Sequence, residues 1–324
     1  MVLDLRHPEA LNLLFETVLI RDKERLQLPD FYGRWLFAER LKARDTRGEM
    51  GFFAYEGLIH MRKFFNWHGS AHFPDYFASE DLALHRDASV EVDEKVFAHH
   101  GLLGHGSAVA KVGAYNAQDH LLLYGYAKPE RNRVKVQLDF GAGHGRLANL
   151  AFHAPDESER LQTYIAVDAI PSTYFTQLAY FEGMNLEVWE YFDYYQDDLT
   201  QADLTRAIQD FDVVHLPTWR TDLLPDGCVD LVSCVQVLKE LPGPLVNEII
   251  PIFRRLTHAT GAIYIRDHKQ FHNPNHMPIE LLLQGNGFDI EFAPQIIDRT
   301  ELHGLPRIWR KVDPSHFISR QHNS

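Results

Sequence analysis

Seven consecutive residues, Asp139-Phe140-Gly141-Ala142-Gly143-His144-Gly145, carry the clearest chemical signal in this chain. Three glycines at alternate positions strip side chains from a backbone that must turn tightly, and a ligand can then approach main-chain N–H groups closely. An apolar run, Val134-Lys135-Val136-Gln137-Leu138, leads into the loop, and Leu147, Leu150, Ala151 and Phe152 follow it at helical spacing. A strand entering a glycine turn that opens a helix is a ligand-cradling unit of α/β proteins. Its spacing narrows the reading. Dinucleotide enzymes favour G-x-G-x-x-G, whereas here the third glycine comes one residue early and Arg146 stands in its place. The acidic Asp139, two residues before the first glycine, is a second difference.

Strands and helices must carry that loop, and the chain changes character near residue 130 to supply them. Beyond the turn Lys128-Pro129-Glu130-Arg131-Asn132, apolar runs at 134–140, 164–168, 213–216, 229–235, 262–266, 288–292 and 307–311 read as strands. Helices are expected between them, including one opened by Pro171-Ser172 and one over Pro244 to Leu256. This alternation predicts an α/β fold, a Rossmann-like doubly wound and mostly parallel sheet covered on both faces. Residues Leu186 to Asp210 fit no minimal version of it and read as a helical insertion, about 183–210, rich in Tyr, Trp and Phe. Residues 1–129 read as an N-terminal helical extension, a lid or substrate region before the core domain of 130–324. Pro8 to Leu26 places Leu11, Leu14, Phe15, Val18 and Leu19 at helical spacing. Phe31 to Ala43, Gly51 to Phe65, Val92 to His100 and Ser107 to Tyr126 are further expected helices, with a polar and aromatic loop from Asn66 to Pro74.

The motif D-x-G-x-G-x-G after a strand resembles the first motif of class I S-adenosylmethionine-dependent methyltransferases. The resemblance extends over residues ~130 to ~312. Leu224-Pro225-Asp226-Gly227-Cys228-Val229-Asp230-Leu231-Val232 is similar to the family's fourth strand, and Val235 through Leu241 to its sequel. Phe253-Arg254-Arg255-Leu256 through Asp267 is similar to its following helix, loop and fifth strand. The resemblance implies S-adenosylmethionine as cofactor, with Asp139, Gly141, Ala142, Gly143, Gly145 and Val235 around it. Asp168 and Ala169, at the end of the second strand, would meet its ribose, and Thr218 and Trp219 its adenine. Thr218 or Trp219 stands where many relatives place an acidic residue, so that contact is expected from the backbone. His144 inside the loop is an unusual feature. A narrower resemblance, to the sugar O-methyltransferase group of bacterial natural-product pathways, rests on the helical N-terminal block and the aromatic insertion.

Methyl transfer from a sulfonium is an in-line displacement, so the protein mainly aligns the attacking O or N atom and excludes water. A hydroxyl nucleophile must also lose its proton, a task suited to histidine near neutral pH. His268, just past the fifth strand beside Asp267, is the candidate base, with a surface loop histidine as the plainer reading. Glu240 is a second catalytic candidate, and a structural carboxylate paired with Lys239 or Arg266 is its plainer reading. His268, His272 and His276 stand four apart, but Pro274 breaks the helix that metal binding at that spacing needs, so no metal is expected there. His99, His100 and His105 read as helix-end residues. Tyr191, Tyr194 and Tyr195, with the Trp67 to Phe77 segment, offer rings and hydroxyls for a substrate pocket or for gluing the N-terminal helices to the core.

Composition bounds the partners. Forty-five acidic against 32 basic residues give a net charge of −13, which repels phosphate backbones, so a small-molecule substrate and no nucleic acid are expected. No apolar run approaches the roughly 18 residues of a spanning helix, so no membrane partner is expected. The N-terminus lacks a signal peptide's basic start and apolar centre, and a cytoplasmic location is the expectation. Two cysteines, Cys228 and Cys234, in a turn and a strand, exclude a disulfide framework and read as packing residues. The oligomeric state does not follow from the sequence.

Overall fold

The computed structural model describes residues 4–28, 54–60, 77–102, 109–125, 134–238, 241, 243–267, 279–293 and 305–312. Eight strands of one sheet lie in the order β3-β4-β2-β1-β5-β6-β8-β7. They are β1 (Val136–Phe140), β2 (Thr163–Asp168), β3 (Val188–Glu190), β4 (Val213–Pro217), β5 (Val229–Val235), β6 (Thr257–Asp267), β7 (Phe288–Phe292) and β8 (Leu305–Lys311). All pairings are parallel except those of β8 with β6 and β7. The fold is therefore a Rossmann-like, doubly wound α/β fold, as the alternation of strand and helix signals predicts. Every residue of β2 and β4 is buried, which explains their unbroken apolar character: a parallel strand covered on both faces has no solvent side to alternate with.

The helices bounded within the described residues are, in chain order, α1 (Pro8–Leu26), α2 (Ser79–His99), α3 (Val109–Gly125), α4 (Ala148–His153), α5 (Pro171–Gly183), α6 (Tyr191–Tyr194), α7 (Gln201–Asp210), α8 (Gly243–Leu256) and α9 (Ile279–Gly285). Strand order runs outward from β1 to β2 and then resumes on β1's other side at β5. Right-handed crossovers accordingly place α4 and α5 on one face and α8 on the other. On α8 the buried residues Leu245, Val246, Ile249, Ile250, Phe253 and Leu256 recur at three- and four-residue spacing, one apolar stripe against the sheet. α7 begins with a reciprocal capping box, Thr200 accepting from the Asp203 N–H and Asp203 from the Thr200 N–H.

The N-terminal helices cover the α4–α5 face. Phe15 of α1 meets Tyr174, Phe175, Phe192 and Trp219 edge-on, with centroids 5.2–6.1 Å away. Asn149 of α4 donates to the Ser89 carbonyl, Asp93 Oδ1 and the Tyr180 hydroxyl, tying α2 to α4 and α5. Two local expectations are corrected. The aromatic insertion is not purely helical: Val188–Glu190 forms an edge strand parallel to β4, and α6 and α7 follow it. Three residues are too few for a period, and the strand exists because Val213 N–H reaches the Glu187 carbonyl while the Glu187 N–H reaches Asp212 Oδ2. The long spacing from the glycine loop to Asp168 points to a helix extension around residues 154–160, but the segment after α4 holds only one 3-10 turn, Glu157–Glu159. The expected helices at 31–43 and most of 51–65 lie outside the described residues.

Candidate functional site

In an open parallel sheet, ligands bind beyond the carboxyl ends of the strands where the order reverses. Here that point lies between β1 and β5, and the two loops leaving these strands meet there. Gly141, Gly143 and Gly145 have φ of +70°, +60° and +74°, a region that costs a side-chain-bearing residue energy. The turn is anchored by Gly141 N–H and Ala142 N–H on the Val167 carbonyl (2.9 and 3.1 Å) and by Gly145 N–H on the Ala142 carbonyl (2.9 Å). A Cβ on Gly141 would stand 2.5 Å from a Val237 methyl, and one on Gly145 3.0 Å from the Phe181 ring. Gly143 differs, with nothing within 4 Å of its Cβ position. Val237 is brought over Gly141 because the chain turns sharply after Val235, the last residue of β5: Gln236 adopts φ +63° and its N–H reaches the Arg266 carbonyl at 2.8 Å.

Asp168 closes this loop from the β2 side. Its Oδ1 accepts from Ala169 N–H and Ile170 N–H (2.8 and 2.9 Å), and its Oδ2 from Gly143 N–H and Gln177 Nε2 (both 3.1 Å). Burial raises its pKa above the usual carboxylate range, opposed by those backbone donors and by the Thr173 hydroxyl. Gln177 of α5 also donates to the Gly143 carbonyl (2.8 Å), so one amide grips both loop and carboxylate. Its Oε1 faces His215 Nε2 at 3.0 Å, which makes that nitrogen the donor. His215 Nδ1 lies 2.5 Å from Glu190 Oε2, while Glu190 Oε1 accepts from Tyr174 and the Phe192 N–H. A buried relay thus runs from the glycine loop to the edge strand. The sequence shows each member only as a polar residue in an otherwise apolar element, with nothing to say that the three meet.

Two further carboxylates support the loop from below and beside. Asp139 is fully enclosed and accepts from the Tyr164 hydroxyl and from Ser233 Oγ (2.8 Å); burial raises its pKa to about 6 against those two donors. Asp119 of α3, also fully enclosed, pairs with Arg266 at 2.6 Å and Arg146 at 2.5 Å and accepts from Tyr264 at 2.7 Å. Arg146, which replaces a third dinucleotide-type glycine, therefore clamps the loop's exit to an N-terminal helix. His144 beside it is held down to about 3 by desolvation and by the nearby His60 and Arg146, so it is neutral at pH 7.

The sequence-derived residues are placed unevenly. Asp139, Gly141, Ala142, Gly143, Gly145, Asp168 and Ala169 cluster at the carboxyl ends of β1 and β2, and Val235 ends the strand beside them. Thr218 and Trp219 open a buried 3-10 turn, Thr218–Leu223, after β4. The Trp219 indole ties this turn to α1: its N–H donates to Asp22 at 3.0 Å and its ring packs on Phe15. Tyr191 likewise donates to Asp22 (2.9 Å) and receives Arg220, so it glues α1 to the core rather than facing a substrate. His268, Glu240, His272 and His276 lie outside the described residues. Cys228 and Cys234 are both free, and their surroundings push both thiols up, Cys228 to about 12. No helix among the described residues is long and apolar enough to cross a membrane.

No protein-family model matches the sequence, and no curated protein matches it. Among solved structures, the fold is similar to a 1,6-didemethyltoxoflavin-N1-methyltransferase from Burkholderia thailandensis, at 18% identity and TM-score 0.39, covering 76% of this chain and 100% of that one. It is similar to the N-methyltransferase NodS from Bradyrhizobium japonicum, at 12% identity and TM-score 0.39, covering 61% and 95%. A TehB-like SAM-dependent methyltransferase from Corynebacterium glutamicum shares 12% identity at TM-score 0.38, covering 62% and 98%.

Proposed function

We propose that this protein transfers a methyl group from S-adenosylmethionine to an O or N atom of a small polar molecule. One observation carries the reading: a D-x-G-x-G-x-G turn at the sheet's switch point, with the open face of Gly143 directly above the Asp168 carboxylate. What supports the fit is the open position at Gly143, which leaves space where a side chain would stand, beside the Asp168 carboxylate that already holds the loop through the Gly143 N–H. Gly141, Ala142, Gly143, Asp168 and Ala169 would hold the cofactor; when bound, it supplies an electrophilic methyl and its own leaving group.

The chain's residues supply placement. Gln177 fixes the loop and Asp168 in one register, so the crevice is preorganised rather than formed on binding. The Asp119–Arg146–Arg266 cluster holds α3 to the exit of the glycine loop and to the carboxyl end of β6. His268 and Glu240 are proposed to take up the acceptor's proton. The sugar or natural-product assignment is a finer proposal supported by the sequence resemblance alone.

The test is calorimetric titration with S-adenosylmethionine and S-adenosylhomocysteine. Micromolar binding, about −8 kcal/mol, is expected, weakened at least tenfold in both Asp168→Ala and the more conservative Asp168→Asn. Absence of binding by folded wild-type protein overturns the proposal.

A further inference from the structure

Away from the glycine loop, two histidines and a glutamate from three separate elements point their side chains at one spot. His85 lies on α2, His120 on α3 and Glu159 on the 3-10 turn before β2. Glu159 Oε2 is 3.0 Å from His85 Nε2 and 3.2 Å from His120 Nε2, and one ligand atom from each residue falls within 4.8 Å of the others. The rings are 5.3 Å apart and tilted by 33°. Both histidines are nearly inaccessible, at 5% and 3% exposure, while the Glu159 side chain keeps 24%. None of the three takes part in the proposed methyl transfer, and the inference does not rest on it.

The hydrogen-bond polarity points to a cation. His85 Nδ1 sits 2.8 Å from the Asp81 carbonyl, which can only accept, so Nδ1 carries the ring's proton. In the neutral ring Nε2 then aims a lone pair at a carboxylate oxygen, two acceptors face to face unless a positive charge lies between them. A ring N–H held by a backbone carbonyl, with the other nitrogen left to ligate, is also how metal-binding histidines are oriented. Ligands about 2.0–2.2 Å from a tetrahedral zinc stand about 3.3–3.6 Å apart, so the two Glu159 contacts need open by only a few tenths of an ångström, with the two histidine nitrogens, within 4.8 Å of each other, drawn to the same spacing. Two imidazoles and a carboxylate suit zinc-class divalent ions better than magnesium or calcium.

We propose that His85 Nε2, His120 Nε2 and Glu159 Oε2 form a three-ligand site for a zinc-class divalent cation, its fourth position open toward solvent at Glu159. The metal would clamp α2 and α3 to the turn preceding β2. His120 also stacks on Tyr124 at 4.3 Å, whose hydroxyl donates to Gln137 of β1; Gln137 donates to Ser233, and Ser233 to Asp139. The clamp is thereby joined, through one ring stack and three hydrogen bonds, to the strand that carries the glycine loop.

The test uses the full chain, treated with EDTA and dialysed, titrated with Zn2+ by calorimetry and with Co2+ by its ligand-field absorption. One equivalent is expected to bind and to raise the melting temperature, reversibly with EDTA. His85→Gln and Glu159→Gln should each weaken that binding by roughly 100-fold, whereas His258→Gln, at an exposed position outside the cluster, should leave it unchanged. If His85→Gln fails to fold, Glu159→Gln on its part-exposed turn decides. Equal Zn2+ affinity in the wild type and in folded Glu159→Gln, or no uptake by the wild type, overturns the site and leaves a proton-bridged His–Glu–His cluster.

Discussion

Asp119 and Asp139 are the same chemical group, both fully enclosed within the same neighbourhood of the sheet, yet the protein shifts them in opposite directions. Burial pushes Asp119 up, but Arg266 and Arg146 outweigh it and hold its pKa at about 2. Asp139 is pushed up by burial too, and the Tyr164 and Ser233 hydroxyls recover only part of that cost, leaving it at about 6. Dipoles soften the desolvation of a carboxylate, whereas full opposite charges reverse it. The difference separates two roles: Asp119 locks an N-terminal helix onto the loop's exit as a fixed ion cluster, and Asp139 sits under the loop near the border of ionisation at physiological pH.

Removing Asp119 should have the largest effect. Asp119→Ala leaves two arginines enclosed without their counter-charge, a loss of about 3–5 kcal/mol in urea unfolding, and a loss below 1 kcal/mol would break the comparison. In the wild type, the Asp119 contribution is present above the unfolded pKa near 4 and fades as pH falls toward about 2.

Asp139→Asn should act with the opposite sign. A carboxyl raised to about 6 when folded binds its proton more tightly than the unfolded chain does, so the wild type loses stability as pH climbs from about 4 through 6. The asparagine variant lacks that penalty. Its melting temperature should match or fall below wild type at pH 4 and exceed it at pH 7, by up to about 3 kcal/mol in stability. A constant difference across that range would show that Asp139 does not titrate there.

The glycines sharpen the same contrast between support and contact. Gly141→Ala must take a left-handed φ and displace Val237, costing about 2 kcal/mol or more. Gly143→Ala bears only the φ penalty, about 1 kcal/mol, yet it fills the open face and should abolish measurable S-adenosylmethionine binding by an otherwise folded protein. Comparable cofactor affinity in Gly143→Ala and wild type would remove Gly143 from the contact surface.

The sheet was readable in the sequence because parallel strands buried on both faces leave continuous apolar runs, and because glycine spacing reports backbone geometry directly. What escaped reading depends on distant pairing. Gln177, His215 and Glu190 form one relay although up to 38 positions separate neighbours in it, and no local pattern encodes that meeting. β3 escaped because its edge pairing is tertiary, and the bond from the Trp219 indole to Asp22, 197 residues earlier, has no local signature either. The His85–His120–Glu159 meeting is equally non-local.

Asp22 has a consequence for anyone who would re-engineer this molecule. Its enclosed carboxylate collects Tyr191 and Trp219 as donors, with Arg220 Nη1 3.7 Å from its other oxygen, and Phe15 seven residues earlier fills the aromatic socket beside it. The first helix is therefore a keystone rather than a detachable cap. A shortened chain beginning after residue 27 would expose a greasy socket with two orphaned donors, Tyr191 and Trp219, a surface that invites self-association. The same logic forbids grafting this core beneath another protein's leading helix unless the graft brings its own acid to that point.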